Sequence, residues 1–69
     1  MHHYPMIIEW SEEDRAFLVT VPDLPGCIAD GATPEAALRE AQAVIGLWIE
    51  VAREKGWPIP PPRPHLVVA

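Results

Sequence analysis

Residues 16–35 read Ala16-Phe17-Leu18-Val19-Thr20-Val21-Pro22-Asp23-Leu24-Pro25-Gly26-Cys27-Ile28-Ala29-Asp30-Gly31-Ala32-Thr33-Pro34-Glu35. The first six alternate, with Phe17, Val19 and Val21 on one face of a strand and Ala16, Leu18 and Thr20 on the other. Pro22 stops that strand, and Pro25-Gly26 forces a second bend. Cys27-Ile28-Ala29-Asp30 is a further extended run, closed by Gly31. Thr33 then suits a helix N-cap, Pro34 the first helical position, and Glu35 the positive end of the helix dipole. Ala36 stands where a capping box needs Glu or Gln, so the box is incomplete.

Working outward, the helix is expected to continue to about Lys55, with Gly56 as its stop and Pro58 just beyond. Ala37, Leu38, Ala41, Val44, Ile45, Trp48, Ile49 and Ala52 form one broad apolar face, and Glu35, Arg39, Gln42, Glu50 and Arg53 lie opposite. Ala36, Ala43, Leu47 and Val51 flank the polar side. Ala43, Leu47 and Val51 suit either burial under loops or contact with another subunit. The polar face lacks the Lys and Arg that a membrane-surface helix needs. Upstream, Met6-Ile7-Ile8-Glu9-Trp10 reads as the first strand, with Met6, Ile8 and Trp10 on one face. Ser11-Glu12-Glu13-Asp14-Arg15 reads as a solvated hairpin turn. The five prolines of residues 58–64 predict a stiff, extended connector. His65-Leu66-Val67-Val68-Ala69 would then be a fourth strand, paired within the subunit or with another. The fold class expected is α+β, in the order β-β-β-α-β: an antiparallel sheet with one long helix packed on one face, as a single domain over residues 1–69.

The chain has 69 residues, ten acidic and five basic, for a formal charge of -5. A core this small rarely supplies more than about 3–5 kcal/mol, and disulfides, metals or self-association usually supplement it. Cys27 is the only cysteine and cannot form an internal disulfide. His2, His3 and His65 lie near the two ends. Self-association or a partner is therefore the expected supplement. The acidic excess argues against direct nucleic-acid binding, which draws its affinity from Lys and Arg, and suits a basic protein partner. No apolar run reaches the length of a membrane span, and the start lacks the pattern of a secretory signal. A cytoplasmic location is expected.

Catalytic chemistry finds no foothold. Cys27 has no histidine nearby in sequence and reads as a small buried apolar residue. Glu12, Glu13 and Asp14 are consecutive, so they cannot all point inward from one strand toward a metal. Gly26 and Gly31 are isolated and form no phosphate loop. No cofactor or metal is expected, and the protein is not expected to be an enzyme. Asp23, after a proline, suits a bond to nearby backbone amides. The rigid loop of Pro22, Asp23, Leu24, Pro25 and Gly26 could also present Asp23 and Leu24 to a partner.

Three blocks together resemble the HicB antitoxin family. They are Val21-Pro22-Asp23-Leu24-Pro25-Gly26-Cys27, then Gly31-Ala32-Thr33-Pro34-Glu35-Ala36-Ala37-Leu38 with Ala41, then Gly56-Trp57-Pro58-Ile59-Pro60. The resemblance implies a partial RNase H-like fold that binds and blocks HicA, a small basic RNA-cleaving toxin, and that self-associates. The RNase H-like label concerns topology, since no carboxylate constellation carries that activity. The paired acids often found at the helix start are reduced to Glu35. Many relatives continue into a DNA-binding domain, for which residues up to Ala69 leave no room, so operator binding is not expected. If the chain binds such a toxin, contact is expected through the loop of Pro22, Asp23, Leu24, Pro25 and Gly26, Asp23 and Leu24 foremost, with Glu12, Glu13 and Asp14 as electrostatic contributors. A solitary homo-oligomer with no toxin partner is the alternative reading.

Overall fold

The structure is a computed structural model and describes residues 4–62. It contains β1 (Ile7–Ser11), β2 (Ala16–Thr20), β3 (Ile28–Gly31) and α1 (Pro34–Lys55). The sheet is antiparallel in the order β1-β2-β3. This is the α+β arrangement expected, with each strand starting or ending about one residue from its expected bound. The fourth strand expected over residues 65–69 lies outside the described residues, as do His2, His3 and His65.

The helix begins and ends where local chemistry dictates. The Thr33 hydroxyl accepts from the Ala36 amide at 3.1 Å, and Pro34 occupies the first turn. At the far end Gly56 adopts φ 70°, the Gly56 amide donates to the Arg53 carbonyl, and the Trp57 amide donates to the Ala52 carbonyl at 2.8 Å. That pair of bonds is a Schellman motif and leaves few terminal carbonyls unsatisfied.

The helix lies over β3 and the adjoining part of β2. Ala37 and Ala41 pack on Val19 and Ala29, while Ile45 and Ile49 pack on Tyr4, Val21, Leu24 and Cys27. Small residues at the N-terminal end let the helix approach the sheet closely. Gly31 is the tightest point: a Cβ there would sit 2.5 Å from the Ala37 backbone nitrogen. Larger residues fill the wider space towards the helix C-terminus. Leu38, Val44 and Trp48, expected in the core stripe, are only half-buried, because the sheet is too narrow to cover the whole apolar arc. Ile8 and Trp10, on the helix side of β1, remain 40% and 50% exposed, because the helix lies over β3 and β2. Trp10 instead meets Phe17 edge to face, with ring centroids 5.0 Å apart.

Candidate functional site

Two turns build the loop after β2. The Leu24 amide donates to the Val21 carbonyl at 3.1 Å, and the Cys27 amide to the Leu24 carbonyl at 3.0 Å. Pro22 and Pro25 each stand second in their turn, where a fixed φ is an advantage. Gly26 follows Pro25 with φ 76°, the positive value that the third position of a type II turn requires. The Val21 amide closes the loop onto the Cys27 carbonyl at 3.0 Å. Trp48 of α1 fastens it from outside, its indole nitrogen donating to the Pro25 carbonyl at 2.9 Å.

This geometry corrects the expectation for Leu24. The side chain is 1% exposed and sits in the core with Val21, Cys27, Ile45 and Ile49. Both turns that enclose it share its backbone, and the side chain packs beneath the loop against Ile45 and Ile49 of α1. Leu24 therefore anchors the loop instead of offering itself to a partner. Asp23 is half-buried, whereas Pro22, Pro25 and Gly26 are exposed. Cys27 is 2% exposed, and its burial raises the thiol above its ordinary value of 9.0. A thiol so placed stays protonated and unreactive.

The other acidic candidates lie in the β1–β2 hairpin. Ser11 pairs with Ala16, leaving a four-residue loop in which Arg15 takes φ 50°. The Ser11 hydroxyl accepts from the Asp14 amide at 3.2 Å and donates to its carboxylate at 3.1 Å. The Trp10 indole donates to Glu12 at 2.6 Å. Glu12, Glu13 and Asp14 are all exposed. The hairpin continues from one end of β2 and the loop of residues 22–26 from the other, a separation of about 17 Å at the usual strand rise. The structure therefore does not unite the two expected parts of the site.

The pairing register reveals a surface that single-strand patterning did not. On the side away from the helix, Ile7, Thr20 and Ile28 form one row across the sheet, and Glu9, Leu18 and Asp30 the next. Ile7 and Ile28 are 50% and 57% exposed, Glu9 and Asp30 are exposed, and Leu18 and Thr20 are half-buried. The charge is equally uneven. Before the helix stand Glu9, Glu12, Glu13, Asp14, Asp23 and Asp30 against Arg15 alone. Within the helix, Glu35, Glu40, Glu50 and Glu54 are nearly balanced by Arg39, Arg53 and Lys55. The excess negative charge belongs to the sheet half of the molecule. Splitting the charge count at Thr33 would have found this in the sequence, but the alignment of Ile28 and Asp30 with β1 needed the register.

On the opposite side, Ala43, Leu47 and Val51 are exposed, Leu47 at 60%. Pro25, Trp48, Trp57, Pro58 and Pro60 line an open apolar groove of about 410 Å³ at the helix C-terminus. The Tyr4 hydroxyl donates to the Pro60 carbonyl, and Lys55 lies 5.5 Å from the Trp57 ring centre. No lining residue of the groove can act as acid, base or nucleophile. Among the described residues no group of three His, Cys, Asp or Glu side chains could hold a metal ion. No helix there is long and apolar enough to cross a membrane.

Comparison with known proteins matches this geometry to one group. The family described as HicB_like antitoxin of bacterial toxin-antitoxin system matches residues 4–67. A UPF0150 protein of Synechocystis is 36% identical over 58 residues, covering 84% of this chain and 78% of that protein. A UPF0150 protein of Thermoplasma acidophilum is 37% identical over 57 residues, covering 83% and 81%. A chain of the solved HicA3 and HicB3 toxin-antitoxin complex superposes with a TM-score of 0.75 at 31% identity, covering 88% of this chain and 70% of that one. Since the match spans residues 4–67, nearly the whole sequence, the chain belongs to the HicB-like antitoxin family.

Proposed function

We propose that this protein is an antitoxin domain that binds and neutralises a small, basic, mRNA-cleaving toxin of the HicA type. The observation that carries this reading is the likeness to a chain of the HicA3 and HicB3 complex over 88% of the sequence. The electrostatics support it. A toxin that grips RNA needs a positive surface for the phosphates, and the sequence before the helix carries six carboxylates and one basic side chain, Arg15. Covering such a surface excludes RNA without any chemistry by the antitoxin, and this agrees with a family of antitoxins rather than a known enzyme family. The exposed hairpin carboxylates Glu12, Glu13 and Asp14 and the loop residues Pro22, Asp23, Pro25 and Gly26 are candidate contacts. Leu24 supports the loop from below. The site of action is the cytoplasm, where mRNA is available.

The decisive experiment co-expresses the chain with a HicA-type toxin from the same organism. The expected result is a stable complex on size exclusion and recovery of growth. Toxicity that persists at equal expression, with no complex at micromolar concentrations, would refute the reading.

A second proposal concerns self-association, favoured by the exposure of Leu47 and Val51 beside Ala43 on the outer helix face. An apolar stripe of this kind is stabilised by a subunit contact. Sedimentation of Leu47→Glu checks it: the mass falls if Leu47 anchors the contact, and an unchanged mass dismisses it. The same contact would serve a solitary homo-oligomer without a toxin.

A further inference from the structure

We infer that the helix-free face of the sheet, centred on Leu18 and bounded by Ile7, Glu9, Ile28 and Asp30, is the surface on which the basic toxin docks. This rests on the proposed antitoxin function and names the surface that performs it.

The face mixes the exposed apolar side chains Ile7 and Ile28 with the exposed carboxylates Glu9 and Asp30 around the half-buried Leu18 and Thr20, and apolar area beside charge suits a docking surface. Leu18 lies between Glu9 and Asp30 in one row, and Ile7 and Ile28 flank Thr20 in the next. The helix lies on the other side, over β3 and β2, and Ile7, Glu9, Ile28 and Asp30 remain exposed. The choice of occupant follows from charge. Glu9 and Asp30 lie on the face, and Glu12, Glu13 and Asp14 extend the same sign along the adjoining hairpin, opposed only by Arg15. A second copy of this chain would bring the same carboxylates against them, and like charges facing across a contact are unfavourable. A positively charged protein has no such penalty and would associate faster. The loop of residues 22–26 folds towards the helix, where Leu24 is buried and Pro25 is bound by Trp48. On this account it shapes the end of the sheet and lies outside the centre of contact.

The test measures binding of the HicA-type toxin to the full chain and to single variants, by stopped-flow or surface plasmon resonance over a range of salt. Asp30→Lys and Glu9→Lys change exposed side chains and leave the core untouched. Ile28→Lys probes the apolar row. Each should weaken binding on the order of tenfold, with the two charge reversals acting mainly through slower association and a flatter salt dependence. Glu50→Lys makes the same charge change on the polar face of the helix and should stay within about twofold. Helical circular dichroism and an unchanged urea midpoint confirm that each variant is folded, and if Ile28→Lys unfolds, the charge reversals decide. Wild-type-like binding by Asp30→Lys and Glu9→Lys overturns the inference while the antitoxin function stands. An equal loss in Glu50→Lys also overturns it, since net charge alone would then suffice. Failure of the unsubstituted chain to bind overturns both.

Discussion

Leu24→Ala separates two accounts of the loop by the quantity it changes. If Leu24 were a contact residue on an exposed loop, its truncation would weaken toxin binding and leave folding intact. The structure places it at 1% exposure among Val21, Cys27, Ile45 and Ile49, so the loss falls on stability. Burying a leucine and then truncating it to alanine costs about 2–5 kcal/mol, from lost transfer energy and the cavity left behind. The loop is held by its own backbone bonds and by Trp48, so collapse into the cavity is restricted and the cost belongs in the upper half of that range. A core of this size supplies only about 3–5 kcal/mol in total. The variant is therefore expected to be substantially unfolded at 25 °C. Urea titration followed by tryptophan fluorescence reads this directly, because Trp48 loses its partner when the loop opens. Added toxin should shift the midpoint back, since a ligand of the folded state stabilises it by mass action. A loss below about 1 kcal/mol, within the ordinary range for surface substitutions and well short of a buried leucine, would refute the placement of Leu24 in the core.

Two further predictions follow from the same packing. Gly31→Ala places a Cβ 2.5 Å from the Ala37 nitrogen and 2.8 Å from the Ala36 carbonyl carbon; backbone cannot swing aside, so a loss of about 1–3 kcal/mol is expected. Gly46→Ala, whose Cβ would meet nothing within 4 Å in mid-helix, should instead stabilise by about 0.5–1 kcal/mol; thermal melts of the pair must differ in sign. Burial raises the Cys27 thiol above 9.0, so the unfolded chain ionises first. The thiol's contribution is complete below pH 9 and is lost as pH rises through the folded-state value. The urea midpoint should consequently fall more as pH rises past 9 in the wild type than in Cys27→Ala. Parallel curves would remove Cys27 as the cause.

The helix was legible almost to the residue because its limits are local. Thr33, Pro34 and Gly56 act through bonds to neighbours within a turn. The strands were legible to within a residue because alternation and two prolines mark them. The loop of residues 22–26 was legible as a loop, but the direction of Leu24 was not. Two successive turns can place a side chain either way, and only Ile45 and Ile49 of a helix some twenty residues later draw it inward.

The sequence by itself determined the succession of elements, the helix caps, the acidic balance and the family likeness, since each rests on residues close together or on composition. Tertiary structure decided which apolar residues became core and which became surface. Ile8 and Trp10 are exposed because the helix lies over β3 and β2, and Leu24 is buried because α1 passes beneath its loop. The register decided the candidate docking face as well. Ile7, Ile28, Glu9 and Asp30 come from opposite edges of the sheet, and strand pairing between distant residues, which no local pattern encodes, sets them side by side around Leu18.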